Sequence, residues 1–138
     1  MIPDRVSASD VSALSLWREA AHSFRVVQPG ALSCLITGHD FVLASRELAD
    51  LLVVQTLGQI SAVEVLIVRH ATGEGWSSHV ELSVERNLEH DSLPLSDFDD
   101  GLAWSFRGSA LFVHPRIAAT LRESSFPLAF ANGFEGYG

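Results

Sequence analysis

Twice along the chain, a short apolar run with strand character passes without a break into a stripe at helical spacing. Phe41-Val42-Leu43-Ala44 leads through Ser45 into Leu48, Leu51 and Leu52. Ala110-Leu111-Phe112-Val113 leads through His114 and Pro115 into Ile117, Ala118 and Leu121. A strand turns successive side chains to opposite faces, whereas a helix returns to one face every third or fourth residue. Each junction therefore marks where one period yields to the other. Ser45 is placed to cap the free amides of a first turn, and Pro115 stands where a first turn tolerates it. The spacing predicts one helix from Ser45 to near Gly58 and another ending around Ser124. The two segments align from Phe41 against Ala110 to Leu52 against Leu121. Any two strand-to-helix junctions share such a pattern, so the alignment leaves a true repeat open.

The remaining periodicity fills in an α+β chain. Val11, Leu14, Trp17, Ala21 and Phe24 recur at three- and four-residue steps behind Ser9-Asp10, which predicts an amphipathic helix over Ser9 to Phe24. Pro29-Gly30 marks a turn. Leu32 to Ile36 and Phe41 to Ala44 flank Thr37-Gly38-His39-Asp40 as the arms of a hairpin. Ala62 to Val68 and Ser78 to Val84 read as strands of one sheet, the second with His79, Glu81 and Ser83 on a wet face. Glu85 to Asp100, polar and with Pro94 inside, reads as a long surface connection. Leu102 to Phe106 and Ala110 to Val113 form a second hairpin about Arg107-Gly108-Ser109. Pro127 to Phe130 gives a last strand before a loose tail from Gly133. The expectation is one α+β domain over residues 1–138, with a mixed or mostly antiparallel sheet and about three helices.

Composition narrows the partners. With 47% hydrophobic residues the chain can bury a real core, and a net charge of −8 disfavours polyanions such as nucleic acid or an anionic membrane. A charged partner should be basic. All nine basic residues are arginine, which carries no functional weight. Cys34 is the only cysteine, so neither an internal disulfide nor a Cys-rich zinc site can form. Met1 to Arg5 lacks the features of a signal peptide, and no apolar run approaches the roughly 20 residues of a membrane span. The expected compartment is the cytoplasm.

No catalytic or metal-binding set stands out. Val65-Leu66-Ile67-Val68-Arg69-His70 resembles the strand-then-Arg-His signature of the histidine phosphatases, in which the His attacks phosphorus beside cationic groups. In that family a Gly follows the His and the signature opens the chain. Ala71 stands in that place, with half the chain before it, so a histidine at a strand end is the commoner case. A small hydrolase using His70 with Arg69 is the enzymatic alternative. The six histidines, His22, His39, His70, His79, His90 and His114, include no pair at the four-residue helical step. Asp97 to Gly101 fails as a calcium loop, because Ser96 and Phe98 fall where the first acidic ligands belong. No Gly-x-Ser-x-Gly elbow and no phosphate-binding glycine loop is present. Neither cofactor nor metal is expected.

The acidic stretch is the stronger signal. Glu85, Glu89, Asp91, Asp97, Asp99 and Asp100 are opposed there only by Arg86. Such a run keeps an apolar protein soluble, and it can equally steer a basic partner, with Phe98 and Trp104 as aromatic anchors. Trp104 and Trp76 fit a core equally well. Self-association of a dimer-forming scaffold through exposed aromatics is a further alternative.

Phe41 to Leu52, and Leu111-Phe112-Val113-His114-Pro115-Arg116-Ile117-Ala118-Ala119-Thr120-Leu121-Arg122 followed by Phe126-Pro127-Leu128-Ala129-Phe130, resemble bacterial immunity proteins of polymorphic toxin systems. The resemblance is to the broad group that includes the double-CXXCG and DUF1629-type families. Gln28 to Ala31 and Val80-Glu81-Leu82 add fainter matches. Neither CXXC pair of the first family is present. The resemblance implies a non-enzymatic cytoplasmic protein that binds and blocks a co-encoded toxin. A basic, nuclease-like toxin would suit the charge, because carboxylates can take the places of phosphates.

Overall fold

A computed structural model describes residues 1–9, 15–28, 32–69, 75–89, 91, 93–94 and 100–136, without the side chains of Gln28 and Trp76. Among them are twelve strands and two helices. In chain order these are β1 (Asp4–Ala8), β2 (Ser15–Ala20), β3 (Ser23–Gln28), β4 (Leu35–Thr37), β5 (Val42–Ser45), α1 (Arg46–Gln55), β6 (Ile60–Glu64) and β7 (Leu66–Arg69). They continue with β8 (Gly75–Trp76), β9 (His79–Val84), β10 (Ala103–Phe106), β11 (Ala110–Val113), α2 (Pro115–Arg122) and β12 (Leu128–Asn132). The architecture is α+β and rich in sheet, with two described helices where the sequence suggested three.

The strands form a terminal sheet in the order β10-β11-β1-β12, a middle sheet β4-β5-β9-β6 and an outer sheet β2-β3-β7-β8. Pairing is antiparallel except between β3 and β7. The terminal and middle sheets are built alike. Each has a hairpin whose second strand runs into a helix, and the strand after the helix returns to the same sheet with one strand left between. That intervening strand is β1 in the terminal sheet and β9 in the middle one. The chain thus runs twice through the succession strand, hairpin, helix, strand, and the first strand of each pass is lodged in the other's sheet. The aligned segments Phe41–Leu52 and Ala110–Leu121 hold equivalent places in these two units.

Their helices start the same way for the same reason. Ser45 has φ −57° and ψ 152°, and its hydroxyl accepts from the Leu48 amide. His114 has φ −56° and ψ 142°, and its Nδ1 accepts from the Arg116 amide. Each cap satisfies an amide that the helix itself cannot. α1 stops at Thr56, whose hydroxyl donates to the Leu52 carbonyl and accepts from Ile60 N–H; the chain then turns through Leu57 and Gly58, both at positive φ. Leu48, Ala49 and Leu52 of α1 join Ile117, Ala118 and Leu121 of α2 in one apolar cluster with Val6, Val42, Val80, Leu111 and Val113. Both sheets therefore share a core.

The opposite faces of the two sheets are covered differently. On the middle sheet, Phe41 and Leu43 pack against Phe24, Val26 and Ile67 of the outer sheet. On the terminal sheet, Trp104, Phe106 and Phe112 pack under Leu88 and Leu93 of the acidic connection, with Met1 and Phe134. Gly133 N–H donates to Pro3 O and Phe134 packs against the terminal sheet's cluster, so the start of the tail expected to be loose is held against the fold.

Four expectations change. Residues 15–28 form the hairpin β2–β3, not the end of a helix; Val11 and Leu14 lie outside the described residues. The supposed helical stripe joins Trp17, which is exposed, to Phe24, which is fully buried, so it never was one face. Leu16 and Val26, which are paired partners in the hairpin, carry the real apolar face. Ala62 to Val68 is two strands, because the chain crosses from the middle to the outer sheet at the buried Val65. The wet face of β9 is largely covered: His79 is buried and Glu81 lies beneath the outer sheet's Arg18. Finally β1, invisible as a strand in Asp-Arg-Val-Ser-Ala, sits inside the terminal sheet. The Pro29-Gly30 turn lies outside the described residues.

Candidate functional site

The acidic connection leaves β9 at Glu85 and is pinned down at once. Ser105 N–H donates to Arg86 O and Leu88 N–H donates to Ser105 O, so residues 86–88 add a parallel fragment to the edge of β10. The Ser105 hydroxyl donates to Asn87 Oδ1. Leu88 buries itself over Trp104, and that anchorage leaves the neighbouring Glu85 and Glu89 turned to solvent. Asp91 and Asp100 are exposed as well. Part of the charge is met within the segment: Arg86 donates to Asp100 at 2.9 Å and lies 4.0 Å from Glu85. Asp100 nevertheless keeps 88% of its side chain exposed, where water screens the pair. Asp97, Phe98 and Asp99 lie outside the described residues.

The expectation of Trp104 as an aromatic anchor needs a surface side chain, and the structure places it inside. It is 3% exposed, on β10 under Leu88, and it belongs to the core. Of the two tryptophans whose side chains are described, the exposed one is Trp17 on β2, 64% exposed, which the helical stripe assigns to the interior. Strand alternation around it, with Leu16 and Arg18 turned inward, was the signal that would have found it.

Arg18 is the centre of a polar network that joins three parts of the fold. Its Nη2 and Nη1 donate to the two Glu81 oxygens at 2.6 and 3.3 Å, and its Nε donates to Asp40 Oδ2 at 3.2 Å. Nη1 also reaches Ala21 O at 2.9 Å, and the guanidinium lies 4.8 Å from the centre of the Phe24 ring. Hydrogen bonding to Glu81 raises the Arg18 pKa above its ordinary value, against the opposing pull of burial, with the charges of Glu81 and Asp40 adding to the rise. This one side chain ties the outer sheet to β9 and to the β4–β5 turn. Arg18→Ala is expected to cost about 1–3 kcal/mol in urea unfolding, because Glu81 stays under the outer sheet without its donor. Arg18→Lys should recover only part, since an ammonium cannot span both carboxylates as the planar guanidinium does.

Beside Arg18 a cleft of about 340 Å³ opens between β2 and the β4–β5 turn, lined by Leu16, Trp17, Arg18, His39, Asp40 and Phe41. His39 is exposed, and Asp40 keeps 54% of its side chain in solvent while bonded to Arg18. The cleft is mostly apolar with a carboxylate at its rim.

The other described histidines have structural partners or lie at the surface. His79 is 5% exposed; its Nε2 is 2.7 Å from Ser33 O and its Nδ1 is 2.9 Å from the Ser78 hydroxyl. A carbonyl only accepts, so Nε2 carries a proton and donates to Ser33 O. The ring thereby fastens β9 to the segment before β4. His114 is held below the ordinary histidine range by burial first, then by Arg116 and the N-terminal amine. Only its neutral ring can cap α2. That stability is whole above the unfolded value of about 6.5 and is lost as pH falls through the lower folded value. Urea unfolding across this range should show the wild type losing stability on acidification, and His114→Ser, which caps at any pH, should remove that part of the loss. His70 and His90 lie outside the described residues; Arg69 closes β7 opposite Val26. Among the described residues no group of three or more His, Cys, Asp or Glu is placed to hold a metal ion. No described helix is long and apolar enough to cross a membrane.

Comparison with known proteins finds no match: no family model, no curated protein and no solved structure aligns significantly with this chain.

Proposed function

We propose that the chain is a non-enzymatic protein-binding domain of the immunity type, which neutralises a basic, toxin-like partner in the cell that makes it. The observation that carries this reading is the anchorage of the acidic connection. Leu88 and the Asn87–Ser105 bridge fix the segment to the terminal sheet while Glu85, Glu89, Asp91 and Asp100 stay exposed. Carboxylates held on a rigid support are already ordered before a partner arrives, so their field steers association at little further entropic cost. The net charge of −8 acts in the same direction.

The test begins with affinity capture from the native host and continues with association kinetics on the captured protein. Reversing Glu85, Glu89 and Asp91 to arginine should slow association by about tenfold or more at low salt and by much less at high salt. An association rate indifferent to both reversal and salt would remove the connection from the interface. Capture of an acidic partner would end the neutralising reading itself.

A further inference from the structure

Trp17 and the cleft beside it are not used by the acidic connection, which lies on the terminal sheet, whereas Trp17 lies on the outer one. We infer that this cleft receives an arginine or lysine side chain of the basic partner, with Trp17 and Asp40 as its recognition elements. The inference rests on the proposed function for the basic character of the partner and supplies a site for it.

Three features of the cleft select a cation on an alkyl stem. Leu16 and Phe41 line it and can receive the methylenes. Trp17 is 64% exposed, and an indole face is the best aromatic surface for a guanidinium or ammonium. The local charge is also right. Arg18, in the cleft lining, is shared by Asp40 and Glu81, so two carboxylates meet one guanidinium, and Asp40 is the more exposed of the two. Asp40 is held by the same Arg18 that ties the sheets together, so its carboxylate presents a fixed target with over half its side chain in solvent. Tryptophan at the centre of such a contact is the residue whose loss most often weakens a protein interface.

The experiment uses the whole isotope-labelled protein and a hexa-arginine peptide as probe, followed by NMR at low salt, with a hexa-glutamate peptide as control. The Trp17 indole N–H and the amides of Gly38 to Phe41 should shift saturably with hexa-arginine and not with hexa-glutamate. Trp17→Ala and Asp40→Asn should each weaken that binding by about three- to thirtyfold. Because Trp17 is exposed, its alanine variant should melt with the wild type, and Trp17→Phe should retain part of the affinity. Shifts confined to the region of Glu85 to Asp100 would overturn the cleft and leave the basic-partner reading standing. No response anywhere to hexa-arginine would overturn both. A concentration-dependent dimer abolished by Trp17→Ala would give this surface to a second copy of the chain and overturn the inference.

Discussion

Replacing Trp104 by alanine is expected to remove about 3–5 kcal/mol of folding stability. The indole is buried on β10 among Leu88, Phe106 and Phe112, with Met1, Leu93 and Phe134 around them. Its loss would open a cavity beneath Leu88, Leu93 and Phe134, so the residues around these three side chains should loosen together with the core beneath them. Equilibrium denaturation followed by circular dichroism measures the loss. Limited proteolysis should find new cleavage between residues 85 and 100. The contrary result would be a variant as stable as the wild type that had lost only its partner. That outcome would return Trp104 to the interface.

Leu121→Ala is expected to cost about 2–5 kcal/mol, and so is Leu52→Ala at the equivalent place in α1. Both side chains are fully buried and belong to one cluster. The cluster crosses between the terminal and middle sheets, so each substitution should lower the stability of both. A single unfolding transition, shifted by a similar amount in the two variants, is the expected outcome. Two separated transitions in Leu52→Ala, one of them at the wild-type position, would show that the units melt independently.

The parts of this fold visible in the sequence are those whose causes are local. Ser45 and Pro115 mark their helices because a cap and a first-turn proline act within one turn, and both hairpins beside them were found for the same reason. Trp104 was ambiguous because its cover comes from Leu88 and Phe134, which no periodicity connects to it. β1 escaped because a single buried valine, Val6, supplies its apolar side; its strand character comes from β11 and β12 on either side. Residues 9–24 misled because a hairpin's two arms can imitate helical spacing when one apolar residue, Trp17, faces out. The acidic residues stand out as a run, but the anchorage of residues 86–88 depends on β10, which no local pattern in the run reveals.

The crossed placement of β1 and β9 bears on how the protein is made. A nascent chain emerges N-terminus first, and Val6 must wait for Leu111 and Phe130 before its edges are paired. The middle sheet, by contrast, is complete once β9 has left the ribosome. Assembly should therefore proceed outward from that sheet, with β1 left as an unmatched ribbon until β11 and β12 have been made. Long-range pairings of this sort slow folding and leave strand edges bare in the interval. Splitting the gene between β6 and β9 should give two fragments that are each missing a strand held by the other, able to regain structure only when mixed.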